Sequence, residues 1–245
     1  MTRSPEPVCT DPDVNPLVRE LGEPVGVTLI AADHPRRAET QAFIHAVFRS
    51  TCGADVTRFF PDLLAFDAGS GVRAAVGVRG AHGRELFAEQ YLDDPAHREV
   101  AARTGRPVGR AELVEVGNLA LGAQGQARWV IAAVTAYLVG AGYRWVLFTA
   151  AGRLFNAFRR LGLSPLRLAA ADPRCLPDGG ASWGRYYDAM PNVYAGDIAA
   201  GYAKLRDGAC RYRPHLRDLF EQARALGTGS EPAAGERVSV GRARS

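Results

Sequence analysis

Glu112-Leu113-Val114-Glu115-Val116-Gly117-Asn118-Leu119-Ala120 runs into Gly122-Ala123-Gln124-Gly125-Gln126-Ala127-Arg128, and the reading of this stretch decides the fold. An apolar, β-branched strand empties into a glycine-rich turn, and the turn opens a long apolar helix. Such a turn leaves unpaired backbone N–H groups and the positive end of the helix facing outward, a natural seat for a phosphate or pyrophosphate. Glu112, Glu115 and the amide of Asn118 stand just before it. The same strand–turn–helix also serves as a plain structural unit, so neighbouring segments must decide between the two readings.

Upstream, Val25 to Ala31 is β-branched and apolar and predicts a first strand, and Pro35 opens a helix through Phe43, Ile44, Val47 and Phe48. Leu63 to Phe66 and Val72 to Val78 read as neighbouring strands joined by the turn Asp67 to Gly71. Glu85 to Gln90 reads as a third antiparallel partner, with a short helix at Pro95 to Arg103. Downstream, a helix is expected over Gln124 to Ala141, a strand over Tyr143 to Thr149, a helix over Gly152 to Leu161 and a strand over Leu166 to Ala170. Trp183 to Tyr194 is aromatic and irregular, and Pro214 to Leu226 predicts a terminal helix. The fold class is therefore α/β (α+β): one mixed, mostly antiparallel central sheet with helices on both faces. Residues 1–23 read as a flexible lead, 24–226 as a single domain and 227–245 as a disordered tail too polar and glycine-rich to form a core.

Composition narrows the function classes. Hydrophobic residues at 47% and charged residues at 23% are ordinary for a globular chain of 245 residues. The net charge of +4 comes almost wholly from arginine, with no basic cluster interleaved with aromatics, so nucleic acid is not an expected partner. Cys9, Cys52, Cys175 and Cys210 are scattered, and the five histidines lack ligand spacing, so no metal site is expected. No apolar signal segment opens the chain, and the longest apolar run, Trp129 to Gly142, falls short of the roughly 20 residues a bilayer span needs. A cytoplasmic protein without stable membrane insertion is expected.

Five phrases occur in order: Leu86-Phe87-Ala88-Glu89-Gln90-Tyr91-Leu92-Asp93, Glu115-Val116-Gly117-Asn118-Leu119-Ala120, Phe148-Thr149, Asn156 to Leu163, and Trp183-Gly184-Arg185-Tyr186-Tyr187. Together they resemble the thermostable hemolysin family, a GNAT-like group, over about Val25 to Gly196. The resemblance implies a GNAT-like fold whose central turn grips the phosphates of an acyl carrier, either a coenzyme A thioester or an acyl carrier protein. It further implies an N-acyltransferase acting on a small amine. GNAT loops usually follow Gln/Arg-x-x-Gly-x-Gly/Ala; here Gly122-x-x-Gly125-x-Ala127 keeps the two small residues but begins on Gly122, with Arg128 able to supply a phosphate contact instead. Where such enzymes often carry a tyrosine that protonates the leaving thiolate, this chain has Phe158. Tyr186, Tyr187 or water would have to serve in its place, unless acetyl transfer is not the reaction.

The expected site follows from these residues. Gly122, Gly125, Gln126, Ala127 and Arg128, with Asn156 on the next helix, are the candidates for the carrier's phosphates, against a plain helix start. Glu115, Glu89 and Asn118 are the candidates for catalysis and acceptor binding. A glutamate inside an apolar strand is costly to bury without a purpose or partner, though alternation also allows Glu115 a salt bridge or a solvated face. Glu89 and Glu115 are expected late on neighbouring strands, where their carboxylates converge. Replacing Glu115 by Gln is then expected to cut turnover with little change in thermal stability. Trp183, Tyr186 and Tyr187 line an acyl or substrate pocket or pack as core. Asn118 at a glycine-flanked turn also suits a plain backbone-capping role. Two other functions stay open: a membrane-active hemolysin, and a non-catalytic GNAT-fold binding module for which Phe158 speaks.

Overall fold

The computed structural model describes residues 25–69, 71–209 and 214–230. Its elements are β1 (Gly26–Ile30), α1 (Arg37–Cys52), β2 (Asp62–Ala68), β3 (Gly71–Gly80), α2 (Ala96–Thr104), β4 (Leu113–Leu121), α3 (Ala127–Gly140), β5 (Trp145–Ala150), α4 (Gly152–Arg160), β6 (Leu166–Ala170), β7 (Asn192–Asp197), α5 (Ile198–Ala209) and α6 (Pro214–Gly229). The seven strands form one sheet in the order β1-β2-β3-β4-β5-β7-β6. Every neighbouring pair is antiparallel except β4 and β5.

Strand alternation distributes the helices over both faces. Leu64, Phe66, Val76, Val78 and Val114 turn to one face and join Trp129, Val130 and Leu138 of α3 with Leu219 and Phe220 of α6. Leu63, Ala65, Ala75 and Ala120 turn to the other and meet Ile44 of α1. Farther along that second face, Leu113, Trp145 and Leu147 pack with Ala96 and Val100 of α2. α3 is apolar nearly all round because it lies between the sheet and α6. The two helices cross with backbones almost touching: a Cβ built on Gly140 would lie 2.1 Å from the Arg224 carbonyl oxygen, and one on Gly227 would lie 2.1 Å from that of Tyr137.

Several expectations need correction. Glu85 to Gln90 is not a strand; Phe87–Tyr91 is a turn of 3-10 helix, because the Glu89 carboxylate reaches back to accept from the Leu86 N–H. α3 begins at Ala127 rather than Gln124, since Gly125 adopts φ +90° and breaks helical continuity. The end of the aromatic segment is ordered as β7, and α5 follows it unforeseen. α6 runs to Gly229 rather than stopping at Leu226, so the expected tail boundary at residue 227 falls inside a packed helix. The expected lead 1–23 and residues 231–245 lie outside the described residues.

Candidate active site

β4 and β5 pair only from Leu113↔Trp145 to Val116↔Phe148. β4 continues to Leu121 and β5 to Ala150, but no further pairing joins them, so the sheet opens into a V whose walls are the ends of these two strands. A bulge in β4 creates the divergence. Between Ala75↔Ala120 and Gly77↔Gly117 one extra residue is inserted on β4, and Asn118 takes φ +47°. That left-handed conformation suits Asn, whose side chain then clamps the loop before β2. Its Oδ1 accepts from the Phe60 N–H at 2.9 Å and its Nδ2 donates to the Arg58 carbonyl at 3.2 Å.

Two strand glycines make room for this clamp. A Cβ on Gly117 would come within 2.8 Å of the Phe60 ring, and one on Gly77 within 2.8 Å of Asn118 Oδ1. The Arg79 guanidinium lies 4.2 Å from the Phe60 ring centroid and stands opposite Glu115 across the β3–β4 ladder. Sequence reasoning missed Phe60 and Arg79. Gly77 inside an otherwise β-branched and Ala-rich strand was the available signal.

Glu115 is 3% exposed. Its Oε1 accepts from the Ala88 N–H at 2.7 Å and its Oε2 from the Phe87 N–H at 2.8 Å. Burial pushes its carboxyl up to about 7, against the pull of the two N–H groups and of Arg79. The group is thus poised to exchange a proton near neutrality beside the V.

Glu89 is brought close to Glu115 by the same 3-10 turn, but its oxygens are taken. Oε1 accepts from the Ala96 N–H at 2.8 Å and from Arg110 at 2.5 Å; Oε2 accepts from the Leu86 N–H at 2.8 Å and from Arg110 at 2.7 Å. Burial pushes the Glu89 carboxyl up, but Arg110 and the two N–H groups outweigh it and hold it at about 2. A carboxylate with four donors on it buttresses the turn that presents Phe87 and Ala88 to Glu115.

The turn Gly122 to Gly125 is exposed at the open end of β4. Gly122 donates to the Arg73 carbonyl at 2.9 Å, and a Cβ there would stand 2.8 Å from that oxygen. Gln126 is buried and caps the turn by accepting from the Ala123 N–H at 3.2 Å. Ala127 begins α3, and Arg128 follows it half-buried. Burial and the nearby Arg160 both lower the pKa of Arg128, so two guanidiniums of α3 and α4 share one neighbourhood. Asn156 is exposed on α4.

Trp183, Tyr186 and Tyr187 form one half-buried aromatic group with Phe48 and Phe87; Trp183 lies 5.6 Å from Phe87 and 5.3 Å from Tyr186. The Tyr187 and Tyr91 hydroxyls are 2.6 Å apart, and burial raises both phenols. Arg185 N–H donates to the Cys52 carbonyl at 2.7 Å, and Gly184 passes so close to Cys52 that a Cβ would meet its carbonyl oxygen at 2.4 Å. Phe158 is elsewhere. It stacks on Phe148 at 4.6 Å, whereas Tyr187 packs against the cluster on the opposite face that holds Leu147, the preceding residue of β5. Among the described residues no group of His, Cys, Asp and Glu is arranged to hold a metal ion, and no helix is long and apolar enough to cross a membrane.

A family model described as Thermostable hemolysin matches residues 30–202. The chain belongs to the thermostable hemolysin family. Solved structures resemble this chain in fold at low identity. FeeM, an N-acyl amino acid synthase from uncultured soil microbes, has TM-score 0.51 and 11% identity, over 75% of this chain and 95% of that one. TofI, solved in a ternary complex with an inhibitor and MTA, has TM-score 0.50 and 16% identity, over 78% and 99%. BjaI, a CoA-dependent acyl-homoserine lactone synthase solved with MTA, has TM-score 0.50 and 16% identity, over 76% and 89%. No curated protein matches this chain. The fold is GNAT-like, a mixed and mostly antiparallel sheet with helices on both faces.

Within this chain the expected site residues fall into three places. Glu115 and Asn118 flank the start of the V on β4, with Glu89 behind the turn that covers Glu115. Gly122 to Arg128 lies past the open end of the same strand. The aromatic group sits on the Glu115 face, joined to it through Phe87.

Proposed function

We propose that this protein is an N-acyltransferase that moves an acyl group from a coenzyme A or carrier-protein thioester to a small amine. The observation that supports this best is the V between β4 and β5, which ends on the exposed Gly122 to Gly125 turn. A thioester arm fits such an opening as an extra strand, its carbonyl toward unpaired β4 N–H groups that stabilise the oxyanion. Its phosphates would rest on the turn and the start of α3, with Arg128 as counter-charge. The amine nitrogen attacks the acyl carbon, the C–N bond forms, the C–S bond breaks, and the amine proton passes to ionised Glu115 through water. With Phe158 unable to donate and the tyrosines across the sheet, water protonates the departing thiolate.

The test is calorimetric titration with acetyl-, octanoyl- and palmitoyl-coenzyme A, followed by thiol release in the presence of mixed amino acids and alkylamines. Saturable binding with amine-dependent thiol release is the expected result. Neither binding nor thiol release, with acyl carrier protein also tried, would overturn the reading. Phe158, stacked on Phe148 and without a proton, favours one rival: a binding module that takes the thioester and does not turn it over.

A further inference from the structure

Between Glu115 and Asp172 the chain carries no Asp or Glu, against 26 in its 245 residues, yet it carries Arg128, Arg144, Arg153, Arg159, Arg160 and Arg167. This segment builds the outer part of β4 and all of α3, β5, α4 and β6, so it frames the mouth of the V. Several arginines outside this segment pair with carboxylates, Arg36 with Asp67, Arg103 with Glu99 and Arg110 with Glu89, and within it Arg144 pairs with Glu112. Arg153, Arg159 and Arg160 on α4 are exposed and have no carboxylate partner among the described residues.

Arg153 and Arg160 are two helical turns apart, about 10 Å along the axis. A single pyrophosphate engages one or two guanidiniums, so the stripe extends past what a small carrier can neutralise. Same-sign charge held in the open without a partner repels itself and suits an external acidic surface, which it also steers into place. A lipid surface is a poorer fit, because interfacial binding needs an apolar anchor beside the charge. Among the described residues the exposed large apolar side chain is Met190, in the loop before β7 and not on α4.

We propose that the exposed arginine stripe of α4 docks an acidic acyl carrier protein, whose tethered thioester then enters the V between β4 and β5. This rests on the acyl-transfer reading and selects the carrier protein as the donor. α4 starts two residues after β5 ends, so a partner seated on it holds its arm beside the opening.

Fluorescence anisotropy of labelled holo-acyl carrier protein, titrated with the full-length protein at low and high salt, tests docking without needing turnover. Saturable binding that weakens with salt is expected, and Arg153→Glu/Arg159→Glu should weaken it at least about tenfold. Arg98→Glu, a charge reversal on α2 beside Asp94, should leave it unchanged. Equal binding by wild type and the double variant overturns the proposal. So does absent carrier binding, including the case where phosphatidylglycerol vesicles are bound through the same arginines. Thiol release from octanoyl-coenzyme A separates the two readings: the double variant should keep it within about twofold while losing carrier-dependent release. If wild type releases thiol from neither donor, acyl transfer fails while carrier binding still decides the docking surface.

Discussion

Glu115 and Glu89 show how two carboxylates one turn apart are set to opposite ends of their range by their surroundings. For Glu115 the folded value of about 7 stands above the ordinary 4.5. The fold therefore holds this proton more tightly than the unfolded chain does. Its contribution to stability is full below about 4.5 and is lost as pH rises through 7, a change on the order of 3 kcal/mol. Denaturation of wild type and Glu115→Gln across this window should show the difference between them drifting against wild type as pH rises; a constant difference would remove the raised value. The structure also corrects the expectation that Gln is silent for stability. Both Glu115 oxygens accept backbone N–H groups, and an amide offers only one oxygen, so one donor is left facing an NH2. Loss of about 1–3 kcal/mol near pH 5 is expected. If Glu115 also takes the amine proton, kcat/KM has a rising limb near pH 7 that vanishes in the Gln variant. Glu89 has the reverse sign: held at about 2, it contributes stability above its ordinary 4.5 that is lost as pH falls through 2. Arg110→Ala leaves that carboxylate on its two backbone donors alone and should cost about 1–2 kcal/mol in urea denaturation.

At the scale of elements, the turn between β4 and α3 carries its own prediction. Gly125 sits at φ +90°, so any side chain there strains the backbone, and a charge effect must be separated from a conformational one. Gly125→Ala carries the strain alone, while Gly125→Glu adds a carboxylate against the phosphates. Calorimetry with acyl-coenzyme A should show binding weakened modestly in the first and abolished in the second; equal loss would detach the phosphates from this turn. The same stretch explains what was legible in the sequence. β4, the turn and α3 announce themselves because β-branched alternation, glycine and an apolar helix are local signals. The 3-10 turn at Phe87–Tyr91 reads as a strand because the short apolar run Leu86 to Ala88 between polar residues fits either. What decides it is Glu89 bonding Leu86 and Ala96, a choice made by one side chain and a distant Arg110. The clamp of Asn118 on Phe60 spans 58 residues of chain, and no local pattern encodes it.

On the scale of the whole molecule, α6 closes one face of the protein. The Gly140–Gly227 crossing leaves no space for a methyl group, with carbonyl oxygens at 2.1 Å on either side. Gly140→Ala should therefore cost about 2 kcal/mol or more, while Gly229→Ala, with nothing near its Cβ, should stay within about 0.5 kcal/mol of wild type. Hydrogen exchange in the Gly140 variant should lose protection in α6 and β1 together, since Leu219 and Phe220 share a core with Val27 and Leu29. The closing helix also lies more than 70 residues beyond α3 in the chain. A ribosome adding roughly 5–20 residues per second makes α3 several seconds before α6. For that interval Val130, Leu138 and their neighbours form a greasy trough on a half-made protein, with its natural lid still inside the translation machinery. During synthesis this trough offers a chaperone an apolar surface, and a pause before α6 prolongs that exposure.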